Sequence, residues 1–241
     1  LEEVVIVQKP TKFLSKKENP AYPILQKIWA NKHKNSLTTS KSYEYKRYES
    51  VEMGLNNLDT VFLKKSMKKE YGNIRELLSS REIGDHYSLP MFLREEVSKV
   101  YGDNTHSLTR TDIEGERTQG VMQTGFGMER FTRNFRDFDI YDNSFYFLDK
   151  AFVSPLSEYG YGVYAYVLND SIVRDGRKLY SIYFFPKEDQ DLLFKGNFSV
   201  DSQTYAIASI QMLTIKEASL NFVRNLSIEK NFTVNDSLIL P

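Results

Sequence analysis

The sequence predicts an α+β fold: a curved antiparallel sheet, open like a half-barrel, with two or three helices packed on its concave face. Three observations carry this prediction. Helical spacing of apolar residues is confined to the first part of the chain, and strand-like alternation dominates from Ile140 onward. The 16 Tyr and 16 Phe favour pleated, half-buried surfaces. In the later strands apolar side chains occupy both faces, so the sheet needs a cover of helices or of a second sheet on each side.

The elements follow in order. Leu1–Val7 contains the run Val4-Val5-Ile6-Val7 and reads as one short strand, which needs a partner strand to be stable. Gln8–Glu18 is polar and basic, contains Pro10, and reads as a linker. Asn19 is placed to cap a helix with Pro20 and Pro23 tolerated in its first turn. Ile24, Leu25, Ile28 and Trp29 share one face of that helix, which fades in the polar run Asn31–Asn35. Ser40–Met53 alternates: Tyr43, Tyr45, Val51 and Met53 fall on one face. Glu44, Lys46, Tyr48, Ser50 and Glu52 fall on the other, as in a half-buried antiparallel strand.

Leu55–Leu78 has helical spacing at Leu58, Val61, Phe62 and Lys65, with Gly72 as a break. Ser88–Tyr101 returns to strand character. Phe126–Phe138 is a weaker helix, with Phe131, Phe135 and Phe138 at intervals of four and three. Tyr159–Leu168 and Lys178–Phe185 are then two strands joined around Asp175-Gly176. Phe194–Val200 and Tyr205–Leu213 form a hairpin turning at Asp201–Thr204, and Ala218–Phe232 supplies further short strands. Polar turns of this length between neighbouring strands imply an antiparallel meander. The domain organisation expected is residues 1–10 as a terminal strand plus linker, and 11–241 as one α+β domain.

Within the later strands, Tyr164 and Tyr166 are expected on one face and Tyr159 and Tyr161 on the other. Tyr180, Ile182 and Phe184 alternate with Ser181, Tyr183 and Phe185. This aromatic density reads first as core packing, and secondly as a sheet lining a pocket for a lipid-like ligand.

Charge and composition narrow the function classes. Lys+Arg and Asp+Glu are both 32, which gives no basic excess for a nucleic-acid backbone, so no nucleic acid is expected as a partner. The cluster Lys64, Lys65, Lys68 and Lys69 reads as a solvated helix face. The absence of Cys removes disulfides, thiolate zinc sites and cysteine catalysis. His33, His86 and His106 lie outside any HExxH or HxxE spacing, and neither GxSxG nor SxxK occurs. Gly125-Phe126-Gly127 lacks the remainder of a phosphate loop and reads as a turn. Carboxylates cluster at Asp137, Asp139, Asp142 and Asp149; Asp139 and Asp142 with Asn143 could offer oxygen to a hard cation, but turn and cap roles fit these residues better. No catalytic residue, metal ligand or cofactor is therefore expected, and ligand-binding residues are not assignable from the sequence.

A set of short motifs in fixed order carries a family resemblance. Leu1-Glu2-Glu3-Val4-Val5 resembles the closing strand of carboxypeptidase-regulatory-like β-sandwich domains of Bacteroidetes outer-membrane proteins. Tyr141-Asp142-Asn143, Phe152-Val153-Ser154-Pro155, Tyr164-Ala165-Tyr166, Ile182-Tyr183-Phe184-Phe185-Pro186, Phe194-Lys195-Gly196 and Asn221-Phe222-Val223 resemble the uncharacterised middle region of one such family. The resemblance implies a parent chain with a signal peptide, an N-terminal β-sandwich, this region and a C-terminal outer-membrane β-barrel. It also implies a periplasmic location, with the sandwich and the barrel as partners in the same chain. A weaker likeness of Phe194–Leu213 to periplasmic lipoprotein carriers suggests the half-barrel shape. The function expected is a non-catalytic interaction module of an outer-membrane protein. The alternative is carriage of a lipid-like ligand in a sheet–helix cavity.

Overall fold

The structure is a computed structural model that describes residues 9–37, 40–56, 82–83, 86–119, 138–147, 150–174, 176–188, 192–214, 226–234 and 239–240. The expected strand at 1–7, the helices at 57–78 and 126–137, the lysine cluster 64–69, the glycines 125 and 127 and the motif 221–223 lie outside these residues. The chain divides into two compact units. The first comprises Leu1–Tyr43, Asp103–Leu108 and Asn134–Pro241, and the second Glu44–Gly102 and Thr109–Arg133.

In the first unit, helix α1 (Ala21–Asn35) forms where the spacing predicts it. Asn19 Oδ1 accepts from the Ala21 N–H at 2.9 Å, so the expected cap is present, and Pro20 enters with helical φ. Ala21, Leu25 and Ile28 are fully buried. Lys32, His33 and Lys34 occupy the last turn, where cations favour the negative end of the helix dipole.

The main sheet runs β11–β10–β9–β8–β7, all antiparallel. Its strands are β7 (Tyr164–Arg174), β8 (Arg177–Pro186), β9 (Phe194–Asp201), β10 (Ile207–Thr214) and β11 (Ser227–Asn231). The register pairs Tyr166 with Phe184, Ile182 with Phe198, and Phe198 with Ile210, placing these side chains on one face. Ile182, Phe184, Phe198 and Ile210 are essentially inaccessible to solvent. The opposite face carries Ser181, Asn197, Ser199, Ser209 and Gln211, with Ser199 and Ser209 Oγ 2.5 Å apart. Gly196 sits where β10 crosses closest: a Cβ there would overlap the Gln211 carbonyl and press on the Phe184 ring. Glycine is therefore a packing requirement in the Phe194-Lys195-Gly196 motif.

The α+β expectation is overturned. The described structure is mostly β, with α1 and one four-residue turn of helix, α2 (Gly160–Val163), as its helices. Among the described residues no half-barrel carrying two or three helices on a concave face is formed. Much of the cover comes from a hairpin, β5 (Ser144–Phe147) and β6 (Lys150–Val153). Its Phe145, Phe147 and Phe152 are buried around Phe194 of β9, with ring centroids 6.3, 6.2 and 4.8 Å away. These three aromatic rings cover the sheet at Phe194. The apolar face of the sheet meets α1 and the hairpin, and its other face mixes Ser181, Asn197, Ser199 and Gln211 with Tyr183 and the buried Phe185.

Tyr161 also departs from expectation. The segment before β7 is the turn α2, not strand, so the two-residue alternation fails there. Tyr161 stacks on Tyr166 (5.8 Å between centroids, 15° between planes), and Tyr159 is exposed.

The second unit is built on three long strands, β1 (Ser42–Asn56), β3 (His86–Asp103) and β4 (Leu108–Gln119), with β2 (Glu82–Ile83) pairing the start of β3. β1 alternates as its sequence predicts, with Tyr43, Tyr45 and Val51 half-buried and Glu44, Lys46, Tyr48, Ser50 and Glu52 exposed. The exposed side is a charge ladder: Lys46 to Glu114 at 2.9 Å, Tyr48 Oη to Glu95 at 2.7 Å and Lys99 to Glu44 at 3.9 Å. On the other side Phe92, Ser98 and Val100 are buried together with Glu96, whose carboxylate receives Arg94 Nη2 at 2.9 Å and Arg47 Nη2 at 3.4 Å. Charges out of water persist only with such partners. Two further short strands, β12 (Thr233–Val234) and β13 (Ile239–Leu240), pair with each other.

Candidate functional site

An open groove of about 250 Å³ lies in the first unit, along the outer edge of β7, which pairs with no further strand among the described residues. Residues 164–168 of β7 and Tyr161 form its floor. Pro10, Lys12, Phe13 and Leu14 form one wall, and Asn19, Pro20 and Lys187 close the ends.

The floor is rigid because each tyrosine hydroxyl is committed to the backbone. Tyr166 Oη donates to the Pro155 carbonyl at 2.7 Å, and Tyr164 Oη donates to Val153 O at 2.7 Å and accepts from the Phe194 N–H at 3.2 Å. Tyr161 Oη donates to Leu14 O at 3.1 Å and so holds the wall. Burial pushes the Tyr164 and Tyr166 hydroxyls well above their usual range, so they stay neutral. Gly160 completes this packing, since a Cβ there would press on the Tyr166 hydroxyl. Replacing Tyr166 by Phe is expected to cost roughly 1–3 kcal/mol, because it strips the Pro155 carbonyl of a buried donor; chemical denaturation of the variant measures the loss.

Asn19 joins the helix to this floor. While Oδ1 caps α1, its Nδ2 donates to the Tyr166 carbonyl at 2.9 Å. That carbonyl belongs to the outer edge of β7, so the same residue blocks part of an exposed strand edge.

Two ammonium groups stand over the floor. Lys187 Nζ lies 5.0 Å from the Tyr161 ring centroid and donates to the Tyr161 carbonyl at 2.5 Å. Lys16 Nζ lies 5.4 Å from the Tyr22 ring and 5.9 Å from the Tyr161 ring. These are cation–π distances. Burial, and secondarily the charge of Lys16, pull the Lys187 pKa down. Among the described residues neither lysine meets a carboxylate. Glu18, the acid of the same segment, is bonded to the Ser15 hydroxyl at 2.8 Å. Phe13 and Leu14 are 39% and 45% exposed, so the wall offers apolar surface beside the charges.

The residues weighed from sequence fall elsewhere. His33 is exposed on α1, the backbone of His86 pairs with Ile83, and His106 is exposed in the β3–β4 turn with Nδ1 2.7 Å from Asp103. Asp139 accepts from the Tyr141 N–H at 2.9 Å and from Ser36 Oγ at 2.6 Å, and Asn143 Oδ1 accepts from Glu158 N at 3.3 Å. These are turn roles. Asp137 and Asp149 lie outside the described residues. Among the described residues no group of three or more His, Asp or Glu is placed to hold a metal ion. No helix among them is long and apolar enough to cross a membrane.

The groove walls were not legible as a site in a stretch read as linker. The one signal present was the interleaving of Lys12, Lys16 and Lys17 with Phe13-Leu14. By contrast, the motifs that carried the family resemblance converge here. Phe152–Pro155 receives the hydroxyls of Tyr164 and Tyr166, Phe194 binds Tyr164, and Tyr141 Oη accepts from the Ile207 N–H at 3.0 Å. Among the described residues, Phe152–Pro155, Tyr164–Tyr166 and Phe194 thus pack together beneath the groove. No curated protein and no solved structure matches the chain. Residues 24–241 match one family along nearly the whole chain, and the protein belongs to that family, DUF5686, a family of unknown function.

Proposed function

We propose that this chain is a non-catalytic interaction module of the cell envelope, working in the periplasm beside an outer-membrane β-barrel of the same parent protein. The observation that supports the reading is the make-up of the groove. Its hydroxyls are all spent on backbone groups, which leaves apolar and cationic surface to offer a partner and no activated nucleophile–base pair. The envelope setting rests on the family resemblance and on the sandwich and barrel that it implies as neighbours.

Carriage of a whole lipid is the weaker reading. The space between α1 and the sheet is filled by Leu25, Ile28, Phe184 and Phe198. The open volume of about 250 Å³ also falls below the roughly 300–1,000 Å³ of pockets that enclose drug-sized ligands.

Site-specific photo-crosslinking in cells expressing the parent protein tests the proposal. A benzophenone side chain at Phe13 is expected to give discrete adducts in the envelope fraction. One at Tyr48, on the charge ladder, is expected to give none. A cytosolic parent, or equal adducts from both positions, would contradict the module reading.

A further inference from the structure

The groove's chemistry selects a class of partner. Residues 9–18 hold four lysines, Lys9, Lys12, Lys16 and Lys17, against the one acid Glu18, in a chain whose total charges balance. Lys187 adds a fifth cation from the end of β8. Lys16 and Lys187 share the Tyr161 ring, so two like charges are held close without a counter-ion among the described residues. Such a pair is relieved by an incoming anion. Between the cations, Phe13 and Leu14 stand out into solvent. A basic loop with apolar tips is the composition of surfaces that sit in the headgroup layer of a bilayer. There the apolar side chains enter the acyl boundary and the lysine stems snorkel to the phosphates.

A peptide strand is the other occupant to weigh. It would have to add to the outer edge of β7, but the outward carbonyl of Tyr166 is already bonded to Asn19 Nδ2. The edge is therefore closed at the Tyr166 carbonyl, while Lys12, Lys16 and the apolar tips stand exposed beside it.

We infer that the groove and the loop 9–18 form a docking site for the phosphate headgroup of an anionic phospholipid at a bilayer surface, with Lys12, Lys16 and Lys187 contacting the phosphate and Phe13 and Leu14 entering the interface. The inference rests on the interaction-module reading and names the partner of that same site.

Vesicle co-flotation of the 241-residue chain tests it, comparing phosphatidylcholine vesicles with phosphatidylcholine–phosphatidylglycerol vesicles. Binding is expected only with phosphatidylglycerol, and it should fall with salt. Each lysine neutralised is expected to weaken it about fivefold, so Lys12→Gln with Lys16→Gln should weaken it about 25-fold. Phe13→Ser with Leu14→Ser should also release the protein, and both variants should keep the wild-type circular dichroism and melting temperature. Because Lys187→Gln removes a bond to Tyr161, the loop variants decide if that one fails to fold.

Equal binding to both vesicle types would overturn the inference, as would binding indifferent to the loop variants. So would binding of soluble glycerol phosphate or of an acidic peptide by a protein that ignores the vesicles. Protein adducts from the benzophenone at Phe13 together with negative vesicle results would leave the module reading standing and remove the lipid.

Discussion

Phe194→Ala is expected to destabilise the protein by about 4 kcal/mol, the middle of the range for removing a buried Phe. The ring is fully buried and is the point at which the hairpin meets the sheet. Phe152 stacks on it at 4.8 Å, Phe147 meets it edge-on at 6.2 Å, and Phe145 lies at 6.3 Å. Its backbone N–H is tied to Tyr164 Oη, so the strand cannot easily shift to close the cavity. For a chain of this length each kcal/mol moves the melting temperature by about 2–4 °C, so a fall of roughly 8–16 °C should appear in a thermal melt. Phe194→Leu, which keeps most of the volume, should cost well under half as much.

The second large effect is expected at Asp201, buried at the end of β9. Arg177 of β8 grips it with Nε at 2.9 Å and Nη2 at 3.1 Å. The same carboxylate accepts from Thr204 N and Thr204 Oγ1, each at 2.8 Å, and from Gln203 N at 3.2 Å. It thus fixes both the β8–β9 pairing and the turn into β10, in which Tyr205 takes a left-handed φ of 57°. Asp201→Asn removes the carboxylate charge that Arg177 grips and is expected to cost about 3 kcal/mol.

The native pKa of Asp201 adds a pH signature. Burial alone would raise it; the bonds from Arg177 and Thr204 outweigh burial and hold it at about 2. An unfolded Asp titrates near 3.9. The stabilisation is therefore fully present above about pH 4 and is lost as the pH falls through about 2, a loss of order 2–3 kcal/mol. Denaturation curves across that window should show a slope in the wild type that is reduced in Asp201→Asn.

Strand positions were legible wherever alternation met a buried face. β1, β8, β9 and β10 fall within a few residues of their expected bounds, and so does α1, because Leu25 and Ile28 recur at helical spacing beneath the Asn19 cap. β4 was missed. Nearly all of its side chains are exposed on both faces, so Arg110, Asp112, Glu114 and Glu116 leave no apolar period to read. It is held by backbone pairing to β3 and by ion pairs from Lys46 to Glu114 and from Arg94 to Glu116, none of which shows as an apolar period. The β5–β6 hairpin was not resolved as a pair of strands because four-residue strands are too short to show a period.

The error in fold class has the same root. Apolar residues on both sides of the later strands implied cover on both sides, by helices or by a second sheet, and the predicted fold class took helices. In three dimensions Tyr161 leaves the strand pattern through α2, and the second face mixes Ser181, Ser199 and Ser209 with Tyr183 and Phe185. The groove was hidden for a different reason. Its walls come from a segment with no secondary structure, and its floor comes from β7, more than 140 residues later in the chain, where Asn19 and Leu14 find their partners.

The claim on which the fold rests is that an aromatic hairpin, together with α1, seals the sheet where further helices were expected. A double-mutant cycle on Phe152→Ala and Phe194→Ala, read by chemical denaturation, measures that contact directly. A coupling of about 1 kcal/mol is expected for stacked rings that lose each other. Losses that simply add would mean that the hairpin does not rest on β9, and the sealed sheet described above would be wrong.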